Sequence, residues 1–216
     1  MGPNHALPPG CARLETSAGA ISVIIADSLA IGAPPDWRVR PLRHPPAFRL
    51  TGVKRLYLLR HAKSSWSDPS LADEERPLAP RGRKAVKKMA KELRRREIRP
   101  KLVLCSSSRR TQETLELIGS SLGDPTIEVE EGLYGAGSDG LLARMRAVSD
   151  SVGSVLVIGH NPGLQDLALR LAPGSERLVE KFPTGALTAI ELDAESWREL
   201  GQTEARLAAY VVPREL

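Results

Sequence analysis

Two histidines of this chain each follow a short apolar segment directly. Arg60 and His61 come after the apolar residues 56–59, and His160 comes after the segment "SVLVIG" at residues 154–159. An imidazole can gain or lose a proton near neutral pH, and a guanidinium binds oxyanions through a fork of N–H donors. If the two apolar segments are core strands that end at the same edge, these residues predict an anion site.

Two arginines could add positive charge to that site. Arg109 and Arg110 follow "CSSS" at residues 105–108, where a predicted strand gives way to a predicted helix. The first turn of a helix binds anions through its free N–H groups, and arginine binds phosphoryl oxygens with charged hydrogen bonds. An Arg-His pair at a strand end can also mark only the place where the chain reaches solvent. Because the pattern occurs after two strands, a phosphoryl-binding pocket is the favoured interpretation.

The elements that would position these residues alternate from residue 53 onward. Short apolar runs predict strands at 55–59, 101–105, 126–130, 154–159, 186–192 and 205–212. Apolar residues at helical spacing predict helices at 81–98, 108–122, 139–150 and 163–172. This order predicts an α/β fold, a three-layer sandwich with a mostly parallel central sheet and helices on both faces. Such sheets bind ligands at the carboxyl ends of their strands.

Composition narrows the class of protein without identifying it. The chain has 216 residues, a hydrophobic fraction of 41%, a charged fraction of 26% and a net charge of +5, which favours anionic partners. Its two cysteines, Cys11 and Cys105, are far apart and indicate neither a disulfide framework nor a metal site. No apolar run is long enough to span a bilayer. We therefore expect a cytoplasmic monomer with no metal, cofactor or membrane partner.

Four separated blocks resemble the histidine phosphatase superfamily, the phosphoglycerate-mutase-like proteins. Arg60-His61-Ala62 resembles the family's Arg-His-Gly signature, and Gly159-His160 matches its second histidine. Between them, "ERPLAPRGRKA" (75–85) resembles Leu-Thr-x-x-Gly-x-x-Gln-Ala, and "CSSSRRTQET" (105–114) resembles Ser-Pro-x-x-Arg-Ala-x-Gln-Thr, with Arg110 on the catalytic arginine. The blocks keep the family's order across residues 53–216. Because the connections are short, the chain is most similar to the small SixA-type phosphohistidine phosphatases.

The resemblance implies a metal-independent phosphatase whose substrate is a phosphorylated protein or a small phosphorylated metabolite. His61 would attack phosphorus and carry a transient phosphoryl group, while Arg60, Arg110 and His160 would hold its oxygens. Ser67, at the family's Thr-x-Trp-Asn segment, and Ser106 are candidate secondary phosphate donors. Each serine could instead satisfy a turn or cap a helix.

The sequence departs from the family pattern in three places. Ser107 stands where the family has proline, which is a minor change. Ala62 replaces a glycine, which is harmless if its backbone keeps a negative φ. Many members also carry a glutamate after the third strand as general acid, and here Glu130, Glu131 and Asp139 are the candidates, with solvated loop charges as the alternative for each. A missing acid favours phosphohistidine or another activated phosphate, because an imidazole can leave already protonated.

Other features of the sequence are compatible with functions other than a phosphatase. "GAGSDG" at 135–140 fits the glycine spacing of dinucleotide-binding loops, but a loop at the pocket rim is the favoured reading. Cys105 resembles the start of a cysteine phosphatase loop, yet the required arginine position holds Thr111. Residues 76–101 carry twelve Lys or Arg against two Glu, which fits a nucleic-acid-binding module or, as we predict, a solvated helix face. A mutase-like phosphotransferase would need a closed site, and no lid insertion is visible in the sequence.

Residues 1–52 differ in composition from the rest of the chain. They hold 8 of the 17 prolines and none of the eight lysines. We expect a poorly ordered N-terminal extension that packs little against a histidine phosphatase domain at 53–216. Because "VKRLYLLRHAK" looks like the start of such a domain, the natural protein is expected to begin at Val53. A targeting peptide, or an extra edge strand formed by "AISVII" at 20–25, are the alternatives.

Overall fold

A six-stranded sheet forms the centre of the protein in the computed structural model, which describes residues 52–173, 178 and 180–216. The strands are β1 (Val53–Arg60), β2 (Leu102–Ser106), β3 (Thr126–Glu130), β4 (Ser154–Gly159), β5 (Leu187–Asp193) and β6 (Ala205–Val211). Their spatial order is β3-β2-β4-β1-β5-β6. The first four in that order are parallel, whereas β5 runs antiparallel to β1 and β6 antiparallel to β5.

Within the described residues, four helices lie on the two faces of the sheet. They are α1 (Pro80–Arg95), α2 (Arg109–Ile118), α3 (Ser138–Arg146) and α4 (Gly163–Leu171). Residues of α1 and α2 belong to one buried apolar cluster with one face of the sheet, and residues of α3 and α4 belong to a second cluster with the other face. The predicted three-layer α/β sandwich with a mostly parallel sheet is confirmed.

The element bounds follow the sequence closely, with differences of a few residues at several ends. β1 spans Val53–Arg60 rather than 55–59, and α3 ends at Arg146 rather than at residue 150. β3 and β4 span the predicted residues, because each is a short segment rich in β-branched residues between turn-forming or polar residues. α1 stops at Arg95 rather than residue 98, since Glu97 has a φ of 54°, which a right-handed helix cannot contain. α2 ends at Ile118 and continues as a 3-10 turn at Gly119–Ser121.

Three parallel strands bring their carboxyl ends to the same edge of the sheet. β1 lies beside β4, with Arg60 paired to Gly159, and β4 lies beside β2, with Cys105 paired to Ile158. The backbone N–H of His61 also donates to the Gly159 carbonyl at 3.0 Å. The residues that follow these strands are therefore neighbours in space.

A glycine lets α1 approach this edge closely. A Cβ atom at Gly82 would lie 2.2 Å from the carbonyl oxygen of Lys63, which no real side chain tolerates. The same Lys63 carbonyl accepts a hydrogen bond from the Ala79 N–H at 2.9 Å, just before α1 begins. The first turn of α1 is thus held against the loop that follows His61.

The proposed N-terminal extension at residues 1–52 and the edge strand at 20–25 lie outside the described residues, Gly52 excepted. In the described part of the chain, none of the helices is both long and apolar enough to cross a membrane.

Candidate active site

His61 lies buried at the end of β1 with one ring nitrogen fixed. Its Nδ1 is 2.7 Å from the carbonyl oxygen of Ala62, and because a carbonyl can only accept, Nδ1 carries the proton and donates. The lone pair of the neutral ring is then on Nε2. Burial is the main reason that the pKa of His61 is lowered from 6.5 to about 3; the Ala62 hydrogen bond raises the pKa, and the nearby His160, Arg110 and Arg60 lower it. His61 is therefore a neutral imidazole at neutral pH.

His160 faces His61 across the site. The centroids of the two rings are 5.0 Å apart and the planes are tilted by 52°. The Nη2 of Arg110 lies 3.5 Å from Nδ1 of His160, while Nε2 is 2.8 Å from the hydroxyl of Ser106. Since arginine can only donate, the Nδ1 atom accepts and Nε2 carries the proton in the neutral ring. Burial, followed by the charge of Arg110, lowers the pKa of His160 to about 4.

Ser106, a predicted site residue, contacts the ring of His160 directly. It is fully buried at the end of β2, with its hydroxyl oriented by His160. Ser108, the residue before α2, places its hydroxyl 3.4 Å from the same Nε2 and 2.8 Å from Thr111 Oγ1. These hydroxyls hold the His160 ring so that Nδ1, rather than Nε2, faces Arg110.

Arg110 is held by a carboxylate that the sequence reading missed. Its Nη2 donates to Oδ2 of Asp73 at 2.8 Å, and its Nη1 donates to the Asp73 backbone carbonyl. The Tyr134 hydroxyl donates to the same Oδ2 at 2.8 Å, and Arg76 Nη1 donates to Oδ1 at 2.7 Å. The Tyr134 ring in turn packs edge-on against His160, with ring centroids 5.4 Å apart. Asp73 and Tyr134 come from loops without regular periodicity, so no pattern in the sequence singled them out.

Arg60 leaves part of its guanidinium uncommitted. Its Nη1 donates to the Phe182 carbonyl at 2.7 Å, but its Nε is buried and has no hydrogen-bond partner within the described part of the chain. Burial also lowers the pKa of Arg60. Asn161, next to His160, donates from Nδ2 to the same Phe182 carbonyl at 3.2 Å, which joins the ends of β1 and β4 through one acceptor. Arg60 is thus a cation with an unused buried donor beside His61.

The structure brings together Arg60, His61, Ser106, Arg110 and His160, whereas the described contact of Ser67 is with another loop residue. Ser67 is exposed, and its hydroxyl is 2.8 Å from that of Ser65 in the loop after β1. That contact satisfies a turn, which is the alternative role that the sequence left open for this serine.

Arg109, the neighbour of Arg110, also points away from the histidines. Its Nε donates to the Glu113 carboxylate at 3.1 Å. Glu113 is buried on α2 and also accepts from the Leu78 N–H at 2.9 Å and from Arg83 at 2.7 Å. This carboxylate ties α1 and the preceding loop to α2 behind the site.

Two of the predicted general-acid candidates are paired with arginines. Both carboxylate oxygens of Glu130 lie 2.9 Å from Nε of Arg144, and Oε1 also accepts from its Nη2 at 2.6 Å. Asp139 accepts from Arg170 at 2.6 Å, with its side chain 91% exposed. Glu131 is exposed as well. Among residues 52–173, 178 and 180–216, no group of three or more His, Cys, Asp or Glu side chains has a metal-binding arrangement.

The backbone of Ala62 and the thiol of Cys105 agree with what the sequence predicts for them. Within the described residues Glu97 is the one non-glycine position with positive φ, so Ala62 has the negative φ that its replacement of glycine requires. Cys105 is fully buried, and burial raises the pKa of its thiol to about 12. A thiol in that state is a poor nucleophile, in agreement with rejection of the cysteine phosphatase reading.

Comparison with known proteins gives consistent matches. The family model of the histidine phosphatase superfamily (branch 1) matches residues 56–135. An uncharacterised protein of Mycobacterium tuberculosis is 36% identical over 163 residues, which are 72% of this chain and 100% of that protein. The phosphohistidine phosphatase SixA of Escherichia coli is 32% identical over 142 residues, which are 64% of this chain and 86% of that protein.

A solved structure shares the fold. The protein histidine phosphatase SixA complexed with tungstate superposes with a TM-score of 0.63 and 29% sequence identity, over 74% of this chain and 98% of that one. The region of similarity therefore includes nearly all of that protein.

Proposed function

Since this chain belongs to the histidine phosphatase superfamily, we propose that it hydrolyses phosphoryl compounds through a phosphohistidine intermediate on His61. The observation that supports this most is the orientation of His61. Its Nδ1–H is held by the Ala62 carbonyl at 2.7 Å, so the lone pair of Nε2 is available as a nucleophile. The low pKa of about 3 keeps that lone pair free of a proton.

The cations around His61 supply what a phosphoryl transition state needs. Such a transition state is loose, with charge on three equatorial oxygens, and catalysis depends on positioned donors. Arg60 offers an unused Nε, and Arg110 offers its Nη2, which donates to Asp73 at 2.8 Å and makes a second, long contact of 3.5 Å to His160. We propose that both guanidiniums bind the phosphoryl oxygens, and that no metal ion takes part in the reaction.

His160 is proposed to join them as a cation once the substrate is bound. In the structure its Nδ1 is unprotonated and its pKa is about 4. A phosphoryl dianion beside Nδ1 would favour the protonated ring, because an opposite charge at short range stabilises the charged form. Ser106 is then a positioning residue, since its hydroxyl can accept from Nε2 at 2.8 Å and so direct Nδ1 to the phosphoryl group.

We further propose that the preferred substrate is phosphohistidine on a protein. The SixA relative is named a phosphohistidine phosphatase, and a SixA structure holds tungstate, a tetrahedral oxyanion like phosphate. In this chain the carboxylates of Glu130 and Asp139 are bound to arginines, which leaves them poorly placed to protonate an alkoxide. A protonated imidazole leaves without such help.

The test of the activity uses an aryl phosphate with and without a metal chelator. The wild type should hydrolyse it, and His61→Ala should abolish turnover. A metal-dependent activity that survives in His61→Ala would show that the proposal is wrong.

A separate panel tests the substrate class. Values of kcat/KM are compared for a phosphohistidine-bearing protein and a set of small phosphomonoesters, with His61→Ala as the blank. We expect the phosphohistidine protein to give the highest value. A strong preference for a small sugar phosphate would refute the substrate assignment and leave the phosphatase chemistry intact.

A further inference from the structure

Asp73 places a carboxylate at the edge of the proposed phosphoryl site. It belongs to a short 3-10 turn, Asp73–Glu75, in the loop between β1 and α1. Its Oδ2 accepts from Arg110 Nη2 and from the Tyr134 hydroxyl, both at 2.8 Å. Both of those partners contact His160, Arg110 at 3.5 Å from Nδ1 and Tyr134 through its ring. One side chain therefore separates Asp73 from the position where the phosphoryl group is expected.

The carboxylate can also be reached from solvent. The side chain of Asp73 is 52% exposed, whereas the Arg110 side chain that it contacts is 8% exposed. A substrate whose phosphoryl group enters between His61 and Arg110 must extend its leaving group toward the open side of the site. The leaving group would then pass near Asp73.

Asp73 remains ionised and so does not supply a proton. Hydrogen bonds from Tyr134 and Arg76, with the charge of Arg110, lower the pKa of Asp73 to about 2. The hydrogen bond to Asp73 in turn raises the pKa of the Tyr134 phenol. Neither group is a good general acid at neutral pH. What Asp73 offers to a leaving group is a fixed negative charge with free acceptor capacity.

We propose that Asp73 is a specificity-determining residue that favours phosphoryl donors whose leaving group presents an N–H or a positive charge. The favoured class is the phosphoramidates, of which phosphoimidazole is the simplest example. A leaving group with its own negative charge would be repelled by the same carboxylate. The inference rests on the proposed function, because it assigns a role at the same site.

With phosphoimidazole as substrate, the phosphoryl group passes first to His61 and then to water. The ring nitrogen of the substrate that is distal to phosphorus carries a proton, and Asp73 accepts a hydrogen bond from it. The P–N bond of the substrate breaks as the bond from His61 Nε2 to phosphorus forms. The departing imidazole keeps the electron pair of the broken bond and leaves neutral with its distal proton. Water then forms a P–O bond, the electron pair of the P–Nε2 bond returns to His61, and one water proton passes to solvent.

The test compares two substrates whose leaving groups both depart without a general acid but differ in charge. Phosphoimidazole releases imidazole from a cationic form, and p-nitrophenyl phosphate releases an anionic phenolate. In Asp73→Asn we expect kcat/KM for phosphoimidazole to fall about tenfold, which corresponds to one charged hydrogen bond. Because Asp73 also holds Arg110, kcat/KM for p-nitrophenyl phosphate should fall as well, but by a smaller factor, and a circular dichroism spectrum like that of the wild type shows that the variant is folded.

Asp68→Asn is the matched control. Asp68 lies in the same loop, is exposed, and accepts hydrogen bonds from Ser70, so the substitution makes the same change of charge away from the site. It should leave the ratio of the two kcat/KM values unchanged.

Two results would contradict the inference and can be told apart. If Asp73→Asn lowers kcat/KM equally for both substrates, Asp73 only positions Arg110, and the inference is wrong while the proposed function stands. If neither substrate forms phosphohistidine on His61 in the wild type, the proposed function is wrong, and the inference that rests on it is wrong as well.

Discussion

At the scale of single residues, chemistry at this site depends on which ring nitrogen of each histidine carries the proton. The Ala62 carbonyl fixes the proton of His61 on Nδ1, and Ser106 together with Arg110 fixes the proton of His160 on Nε2. The two unprotonated nitrogens are then free for the two proposed tasks, attack at phosphorus and, after protonation, binding of a phosphoryl oxygen. The positions of the protons follow because the Ala62 carbonyl can only accept and the Arg110 guanidinium can only donate, and the Ser106 hydroxyl then acts as the acceptor for His160 Nε2.

A matched pair of arginines tests the residue-scale assignment. Arg110→Ala should cost at least about 1.5–3 kcal/mol of transition-state stabilisation, the usual value of a charged hydrogen bond, and Arg60→Ala should behave similarly. Arg109→Ala should be mild, because Arg109 is bound to Glu113 and its side chain is 55% exposed. The measurement is kcat/KM on an aryl phosphate. Equal losses in Arg109→Ala and Arg110→Ala would refute the assignment.

At the scale of elements, the site depends on how closely α1 approaches the loop after β1. The first turn of α1 rests against Lys63, and the absence of a side chain at Gly82 makes this contact possible. This gives a physical reason for the glycine in the segment at 75–85 that resembles the family. The same loop carries His61 at one end and Asp73 near the other, so α1 helps to fix both.

Gly82→Ala should therefore disturb both stability and activity. A methyl group 2.2 Å from the Lys63 carbonyl forces backbone to move, and overpacking of this kind costs about 1–3 kcal/mol. We expect a lower midpoint in urea and a lower kcat on an aryl phosphate.

Gly119→Ala is the control for that experiment. Gly119 has a φ of −47°, and a Cβ there would meet nothing within 4 Å. This substitution should be neutral or slightly stabilising. If Gly82→Ala is as well tolerated as Gly119→Ala, α1 does not hold the loop in the way described.

At the scale of the whole molecule, two buried neutral histidines make stability depend on pH. Their folded-state pKa values, about 3 for His61 and about 4 for His160, lie below the usual value of 6.5 expected in the unfolded chain. The unfolded state therefore binds more protons below pH 6.5, and stability falls as the pH drops toward the folded-state values. At about pH 5 each histidine should lower the free energy of unfolding by about 2 kcal/mol relative to neutral pH.

Urea unfolding of the wild type and of His61→Gln at neutral pH and at about pH 5 measures this effect. The variant should lose less stability than the wild type between the two conditions, because one of the two buried histidines is gone. Parallel losses in both proteins would mean that His61 is not held neutral by burial.

More of the fold than of the candidate site could be predicted from the sequence. The bounds of β3 and β4 could be predicted to the residue, because each strand is a short segment rich in β-branched residues and is flanked by turn-forming or polar residues. Site residues that directly follow these strands or β1, such as His61 and His160, could be predicted because the strand ends could be predicted. Asp73 and Tyr134 were not, since they reach the site through loop conformations that depend on tertiary contacts.

The most direct test of the central claim is to trap the phosphoryl group on the enzyme. The full chain is mixed with a phosphorus-labelled aryl phosphate, quenched within one turnover, digested and mapped. The account predicts alkali-stable, acid-labile label on His61 alone, and none in His61→Ala. Label on another residue, such as His160 or Asp73, or turnover without any labelled histidine, would contradict it.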